Sequence, residues 1–222
     1  MIISTQRKAV ALIRMLTLIK ATRFFLLPTL LSVAFGSACL VLLEKGEATI
    51  WLNNQHTDPL DVLFKLVTYL GDGRLIALFV VLVVFWRRYQ GVLIAIIVIV
   101  TSMCNQLLKR LVFGWDRPAA VLGEPFYHAE GIEIHRHFSF PSGHTVGAFS
   151  LLFLMASLNR NPMWQILCWL LATLTAISRM YLFQHFLIDV TVGAFFGVVF
   201  SGIIYYLLDQ KTGLSRLRYL QQ

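Results

Sequence analysis

The sequence predicts an all-α protein, a polytopic membrane helical bundle of about six transmembrane helices. Three observations predict it. The 222 residues are 58% hydrophobic and 14% charged, with mean hydropathy +0.72; soluble domains carry about a quarter charged residues. The apolar residues gather in long segments of weak periodicity, as in helices wetted by lipid or by each other. The basic residues, which leave a net charge of +8, punctuate those segments and form no solvated patch. That distribution argues for a bilayer partner and against nucleic acid.

A spanning helix needs ~20 mostly apolar residues. Six segments approach this: 24–43, 63–86, 91–113, 144–158, 163–183 and 188–208. The second contains Lys65, Asp72 and Arg74, so only Leu75–Trp86 is cleanly apolar, and the fourth is short. Residues 1–22 form a basic N-terminal cytoplasmic or interfacial segment, with no Ala-x-Ala site closing the following apolar run. Residues 23–210 form one six-helix domain and 211–222 a cytoplasmic tail. Cys39, Cys104 and Cys168 each lie inside an apolar segment without CxxC spacing, so they read as small buried residues, with no disulfide.

Six spans put both termini on one side. With that side inside, the short cytoplasmic loops and tails hold Arg7, Lys8, Arg14, Lys20, Arg23, Arg87, Arg88, Arg160, Lys211, Arg216 and Arg218, satisfying the positive-inside rule. The outer basic residues, Lys45, Lys65, Arg74, Lys109, Arg110, Arg117, Arg136 and Arg179, sit mostly at helix ends beside other polar groups. Charge at that depth is a functional hypothesis by default. The loop 119–140 adds Glu124, His128, Glu130, Glu133, His135, Arg136 and His137. Its spacing is not HExxH, so no metal is expected there; such a cluster is more often a solvated loop than a site.

Three polar islands fall at the outer ends of the apolar segments. Lys109-Arg110 with Arg117-Pro118 close the third. Pro141-Ser142-Gly143-His144 open the fourth. Ser178-Arg179, His185 and Asp189 straddle the fifth and sixth. Counting spans puts all three on one side. Cations converging at one depth repel unless an anion sits between them, and guanidinium forks suit phosphate oxygens. Gly143 and His144 would offer free N–H groups at the positive end of a helix capped by Ser142. His185 and Asp189, spaced i,i+4, would be neighbours on a helix, so the carboxylate could hold one ring nitrogen and leave the other to attack phosphorus. His144 would protonate the leaving oxygen and then activate water. Singly these islands have bland readings as caps and surface pairs. In order, on one side of a membrane bundle, they make a phosphate cradle with two histidines.

The islands resemble the signatures of the type-2 phosphatidic acid phosphatase superfamily, Lys-x6-Arg-Pro, Pro-Ser-Gly-His and Ser-Arg-x5-His-x3-Asp. The second matches at Pro141–His144 and the third at Ser178, Arg179, His185 and Asp189, with similarity over about residues 60–208. The resemblance implies a six-helix membrane lipid phosphatase without cofactor or metal. It implies His185 as nucleophile, His144 as acid and base, Asp189 as its orienting partner, and Arg117, Ser142, Gly143 and Arg179 on phosphate. The first signature departs, because seven residues separate Lys109 from Arg117 and Arg110 stands at the six-residue spacing. Either Arg110 replaces the lysine or one residue is inserted and Lys109 still reaches the site. The two point about 100° apart on an α-helix, and register favours Arg110.

Four lipid substrates fit this resemblance: undecaprenyl diphosphate, phosphatidylglycerol phosphate, phosphatidate and lipid A phosphate. The phosphate would enter sideways from the outer leaflet of an inner (plasma) membrane, with the loop 119–140 against the headgroup. A lipid phosphotransferase would use the same site with an acceptor hydroxyl in place of water. An anionic-lipid carrier would need neither both histidines nor Asp189. Vanadium haloperoxidases resemble the anion cradle but use a soluble catalytic domain, which this chain lacks.

Overall fold

In the computed structural model, residues 12–13, 15–123 and 126–212 are described. Most of the basic segment 1–22 and of the tail 211–222 therefore lies outside the described residues, as does Glu124. The described secondary structure is helical. In chain order it comprises α1 (Arg23–Leu42), α2 (Glu47–Asn53), α3 (Asp58–Thr68), a 3₁₀ turn (Tyr69–Gly71), α4 (Gly73–Trp86), α5 (Arg88–Leu107), a π-helical segment (Leu108–Phe113), α6 (Pro118–Val121), α7 (Gly143–Ser157), α8 (Pro162–Tyr181) and α9 (Leu187–Thr212).

Among the described residues, four helices are long and apolar enough to cross a membrane: Arg23–Leu42, Arg88–Val121 through the π segment, Pro162–Tyr181 and Leu187–Leu208. The pair Asp58–Gly71 and Gly73–Trp86, bent by 59°, makes a fifth if it is one broken span. The sequence places the second segment at 63–86 as one helix. Instead a helix begins at Asp58 and breaks at the polar Asp72, whose side chain caps α4 by accepting the Arg74 N–H at 2.8 Å.

The fourth segment, α7, has 15 residues, about 22 Å of helix against ~30 Å of hydrocarbon. It is apolar all round, and twelve of its residues are buried, which marks a helix enclosed by protein. It packs against α5, α8 and α9, so lipid is met by the outer helices. There Leu27, Leu31, Phe35, Phe79, Phe85 and Ile99 are exposed. Phe25, from α1, inserts between Phe149 and Phe153 of α7. In the bundle interior Ser201 of α9 donates to the Gly197 carbonyl and accepts from Ser150 of α7 at 2.6 Å, with Thr101 of α5 at 3.5 Å. Interhelical bonds of this kind contribute about 0.6 kcal/mol each.

The two ends of the bundle differ in composition. At one end the α4–α5 and α7–α8 connections meet around a cavity of about 640 Å³ lined by Trp86, Arg87, Asn159 and Trp164. Gln165 ties α8 to the start of α1 there, donating to Ala21 O at 2.6 Å and accepting from Phe24 N at 3.1 Å. At the other end the three polar islands meet. The loop after α6 is stapled across them: Asn53 donates to the Tyr127 and Tyr181 carbonyls at 3.0 and 2.8 Å, and Tyr127 N–H returns a bond to Asn53 at 3.0 Å.

Candidate phosphate-transfer site

The site is built from helix ends, where backbone polar groups lack intrahelical partners. Ser142 is the N-cap of α7, its hydroxyl accepting from Thr145 Oγ1 at 3.0 Å and Thr145 N at 3.5 Å. The N–H groups of Gly143 and His144, in the first turn, point out of the helix at its positive end. The α3–α4 break lies directly on this turn. A side chain at Gly71 would collide with the His144 carbonyl, so only glycine permits the approach. The polar interruption in the second apolar segment is thus the contact between a broken helix and the start of α7.

Arg179 ends α8, 5% exposed, and donates from Nη1 to Thr68 Oγ1 at 2.7 Å. The chain then folds back on it: the Gln184 and His185 N–H groups both donate to the Arg179 carbonyl, at 2.9 and 3.1 Å. His185 therefore precedes α9 and is not on the helix with Asp189, as the i,i+4 spacing had implied. Asp189 stands at the third position of α9, and Oδ2 reaches back to the Phe186 N–H at 2.8 Å, one half of a capping box. The same oxygen accepts from Ser139 Oγ at 2.5 Å and lies 3.3 Å from His185 Nδ1. With Nδ1–H donating to the carboxylate, Nε2 carries the lone pair. Burial, then the charges of Arg117, Arg179 and Lys109, hold His185 well below the ordinary imidazole pKa. The ring is neutral at neutral pH, the state in which an imidazole can act as a nucleophile.

Arg117 joins the loop to the site. Its N–H donates to Arg136 O at 2.8 Å, Nε to His137 O at 3.0 Å, and Nη1 to the Gln184 side-chain oxygen at 3.0 Å. Lys109 is buried and Arg110 exposed. Lys109 acts electrostatically on Arg117, Arg179 and Asp189. The structure thus places Lys109, and not Arg110, beside the other cations. The insertion is absorbed by the π-helical segment Leu108–Phe113, whose wider turn and terminal Gly114, in the left-handed region at φ 51°, let Lys109 and Arg117 face the same site.

The structure thus brings together Lys109, Arg117, Ser142, Gly143, His144, Arg179, His185 and Asp189, and leaves Arg110 out. Three residues that the sequence reading passed over join them. Ser139 holds Asp189, Thr68 holds Arg179, and Gln184 holds Arg117. A polar residue inside an apolar span was the available signal for Thr68, and adjacency to a motif for the other two. Among the described residues, buried Arg179 Nε and Asp189 Oδ1 have no hydrogen-bond partner, so the cluster is polar, cationic and incompletely satisfied. Among the described residues no group of three or more His, Cys, Asp or Glu side chains gathers in a metal-binding arrangement.

The sequence model of the PAP2 superfamily matches residues 90–212. The chain belongs to that superfamily. Two solved structures share its architecture. One is LpxE of Aquifex aeolicus, with a TM-score of 0.62 and 27% identity over 71% of this chain and 91% of that one. The other is the first transmembrane PAP2 type phosphatidylglycerolphosphate phosphatase of Bacillus subtilis, with a TM-score of 0.62 over 87% of this chain and 98% of that one. At 22% identity this second likeness concerns the fold. No curated protein matches the chain. A multi-pass membrane protein of the PAP2 superfamily accounts for the apolar helices and for all three polar islands together.

Proposed function

We propose that the protein is a metal-independent lipid phosphatase that hydrolyses a phosphate monoester or diphosphate of a membrane lipid through a phosphohistidine on His185. The observation that carries this reading is the His185–Asp189–Ser139 arrangement, a neutral buried imidazole held by a carboxylate and facing three cations. Nε2 of His185 attacks phosphorus, the bond from phosphorus to the lipid oxygen breaks, and His144 delivers a proton to that oxygen. In the second step His144 takes a proton from water, the water oxygen bonds to phosphorus, and the P–N bond breaks. Lys109, Arg117, Arg179 and the Gly143 and His144 N–H groups hold the non-bridging oxygens and stabilise their transition-state charge. The donor set is cationic and suits an anion, and among the described residues no cluster of carboxylates gathers to hold magnesium.

The substrate lies among undecaprenyl diphosphate, phosphatidylglycerol phosphate, phosphatidate and lipid A phosphate. The site faces the periplasm or exterior of an inner membrane. Arg23, Arg87, Arg88 and Arg160 in short connections at the opposite end support that orientation. The test is a labelling experiment in EDTA. Wild-type protein given ³²P-labelled lipid phosphate should release phosphate and carry acid-labile, base-stable label. His185→Ala should do neither. Label retained by His185→Ala, or activity lost to EDTA and restored by Mg²⁺, would overturn the reading.

A further inference from the structure

The loop between α6 and α7 passes over the cradle at one defined place. Glu133 O accepts from Gln184 Nε2 at 3.0 Å, Arg136 O accepts from Arg117 N at 2.8 Å, and His137 O accepts from Arg117 Nε at 3.0 Å. Gln184 adjoins His185, and Arg117 belongs to the cradle, so residues 133–137 are clamped to the site from both sides. His135 lies between the clamps. Its side chain is 51% exposed, and the nearest carboxylate, Glu133, is at 4.0 Å, the limit of an ion pair. His137, two residues on, is instead engaged by Asp116 at 2.7 Å. His135 is within electrostatic reach of Arg117, Arg179, Lys109 and His144.

Charge balance says what such a residue can bind. Lys109, Arg117 and Arg179 are opposed by Asp189 and, at Arg179, by Asp72, an excess of one positive charge, which the terminal phosphate of a lipid already cancels. A lipid diphosphate brings additional charge that the buried cations do not balance. We infer that His135 is a specificity-determining residue of this site, binding the inner phosphate of a lipid diphosphate while the terminal phosphate occupies the cradle. The imidazole donates to the non-bridging oxygens of the inner phosphate and takes up a proton as that anion arrives. Without the second anion, burial and the cations Arg117, Arg179 and Lys109 lower its pKa, so it stays neutral and adds no further repulsion. The inference rests on the phosphatase reading and names the substrate class that the mouth of the site selects.

The experiment compares farnesyl phosphate with farnesyl diphosphate, which share one chain, on wild-type protein, His135→Ala and His135→Arg. The readout is the ratio of kcat/KM for diphosphate to monophosphate, which a general structural defect would leave unchanged. The ratio should fall about tenfold in His135→Ala, as expected for a lost charge-assisted contact, and recover in His135→Arg. An unchanged ratio in His135→Ala, or wild-type protein active on the monophosphate alone, overturns the inference and leaves the phosphatase reading standing. Wild-type protein inactive on both substrates also overturns the inference, while the phosphatase reading is decided separately by the labelling experiment.

Discussion

Two buried aspartates at the same end of the bundle have opposite surroundings. Asp61, on α3, is 5% exposed, and each of its oxygens accepts from a phenol, Oδ1 from Tyr181 at 2.5 Å and Oδ2 from Tyr127. His56 stacks on Tyr127 at 3.8 Å between ring centroids, and Phe126 stacks on Phe183 at 4.0 Å. This region is closed: it fastens the loop to α2 and α3. Asp189 is fully buried, yet Oδ2 gathers Ser139, Phe186 N–H and His185, while Oδ1 has no partner among the described residues. A satisfied buried carboxylate holds structure together. A half-satisfied one beside a neutral histidine fits the proposed chemistry better than a purely structural role, because an orphaned buried polar atom costs about 1–3 kcal/mol that folding alone does not reward.

The largest expected effect tests that contrast directly. Asp189→Asn should lower kcat by about 10³–10⁴-fold, because the amide can stabilise the wrong imidazole tautomer, while thermal unfolding in detergent stays near wild type. A large fall in melting temperature with modest loss of rate would make Asp189 a structural residue like Asp61. His144→Ala should follow, losing about 10²–10⁴-fold on an alkyl phosphate and much less on nitrophenyl phosphate, whose leaving group needs no proton. Equal losses on the two substrates would remove His144 from leaving-group protonation.

Next come the adjacent bases. Lys109→Met should cost about ten- to hundredfold in kcat/KM, the worth of one charge-assisted contact, and Arg110→Met less than threefold. Comparable small effects at both positions would show that the π segment does not serve the site. On the closed side, Tyr181→Phe should lower unfolding stability by about 1.5–3 kcal/mol, the range for a bond to a charged acceptor, with phosphate release within a fewfold of wild type. If rate collapses and stability does not, the Asp61 cluster belongs to the catalytic apparatus. The smallest effect belongs to the bundle interior: Ser150→Ala should cost about 0.6 kcal/mol and leave kinetics alone, as read by thermal unfolding.

Much of this site is legible in linear form because its groups sit at helix ends, and helix ends are written in short motifs. Pro-Ser-Gly-His carries its own cap and its own positive end, and Arg179, His185 and Asp189 share one connection between two spans. Lys109 and Arg110 could not be separated in that way. A spacing reads as a direction only if the helix has 3.6 residues per turn, and the segment that carries them is π-helical. Ser139 and Thr68 were invisible for another reason. A serine or threonine carries no charge to be explained, so its role appears only when a partner 50 or 111 residues away arrives.

The sequence by itself determined the solvent, the order of the apolar segments and most of the polar groups that the fold gathers at one end. Hydropathy sums locally, and the motifs are contiguous. The tertiary structure decided what depends on distance between elements. It decided that the second segment breaks where Gly71 meets His144, and that the 15-residue α7 is enclosed by its neighbours. It also set Lys109 rather than Arg110 toward the cations, fastened one aspartate with two phenols, and left the other with an open oxygen. Packing selects among side chains that a linear pattern leaves equivalent, because burial assigns each polar atom a partner or leaves it without one.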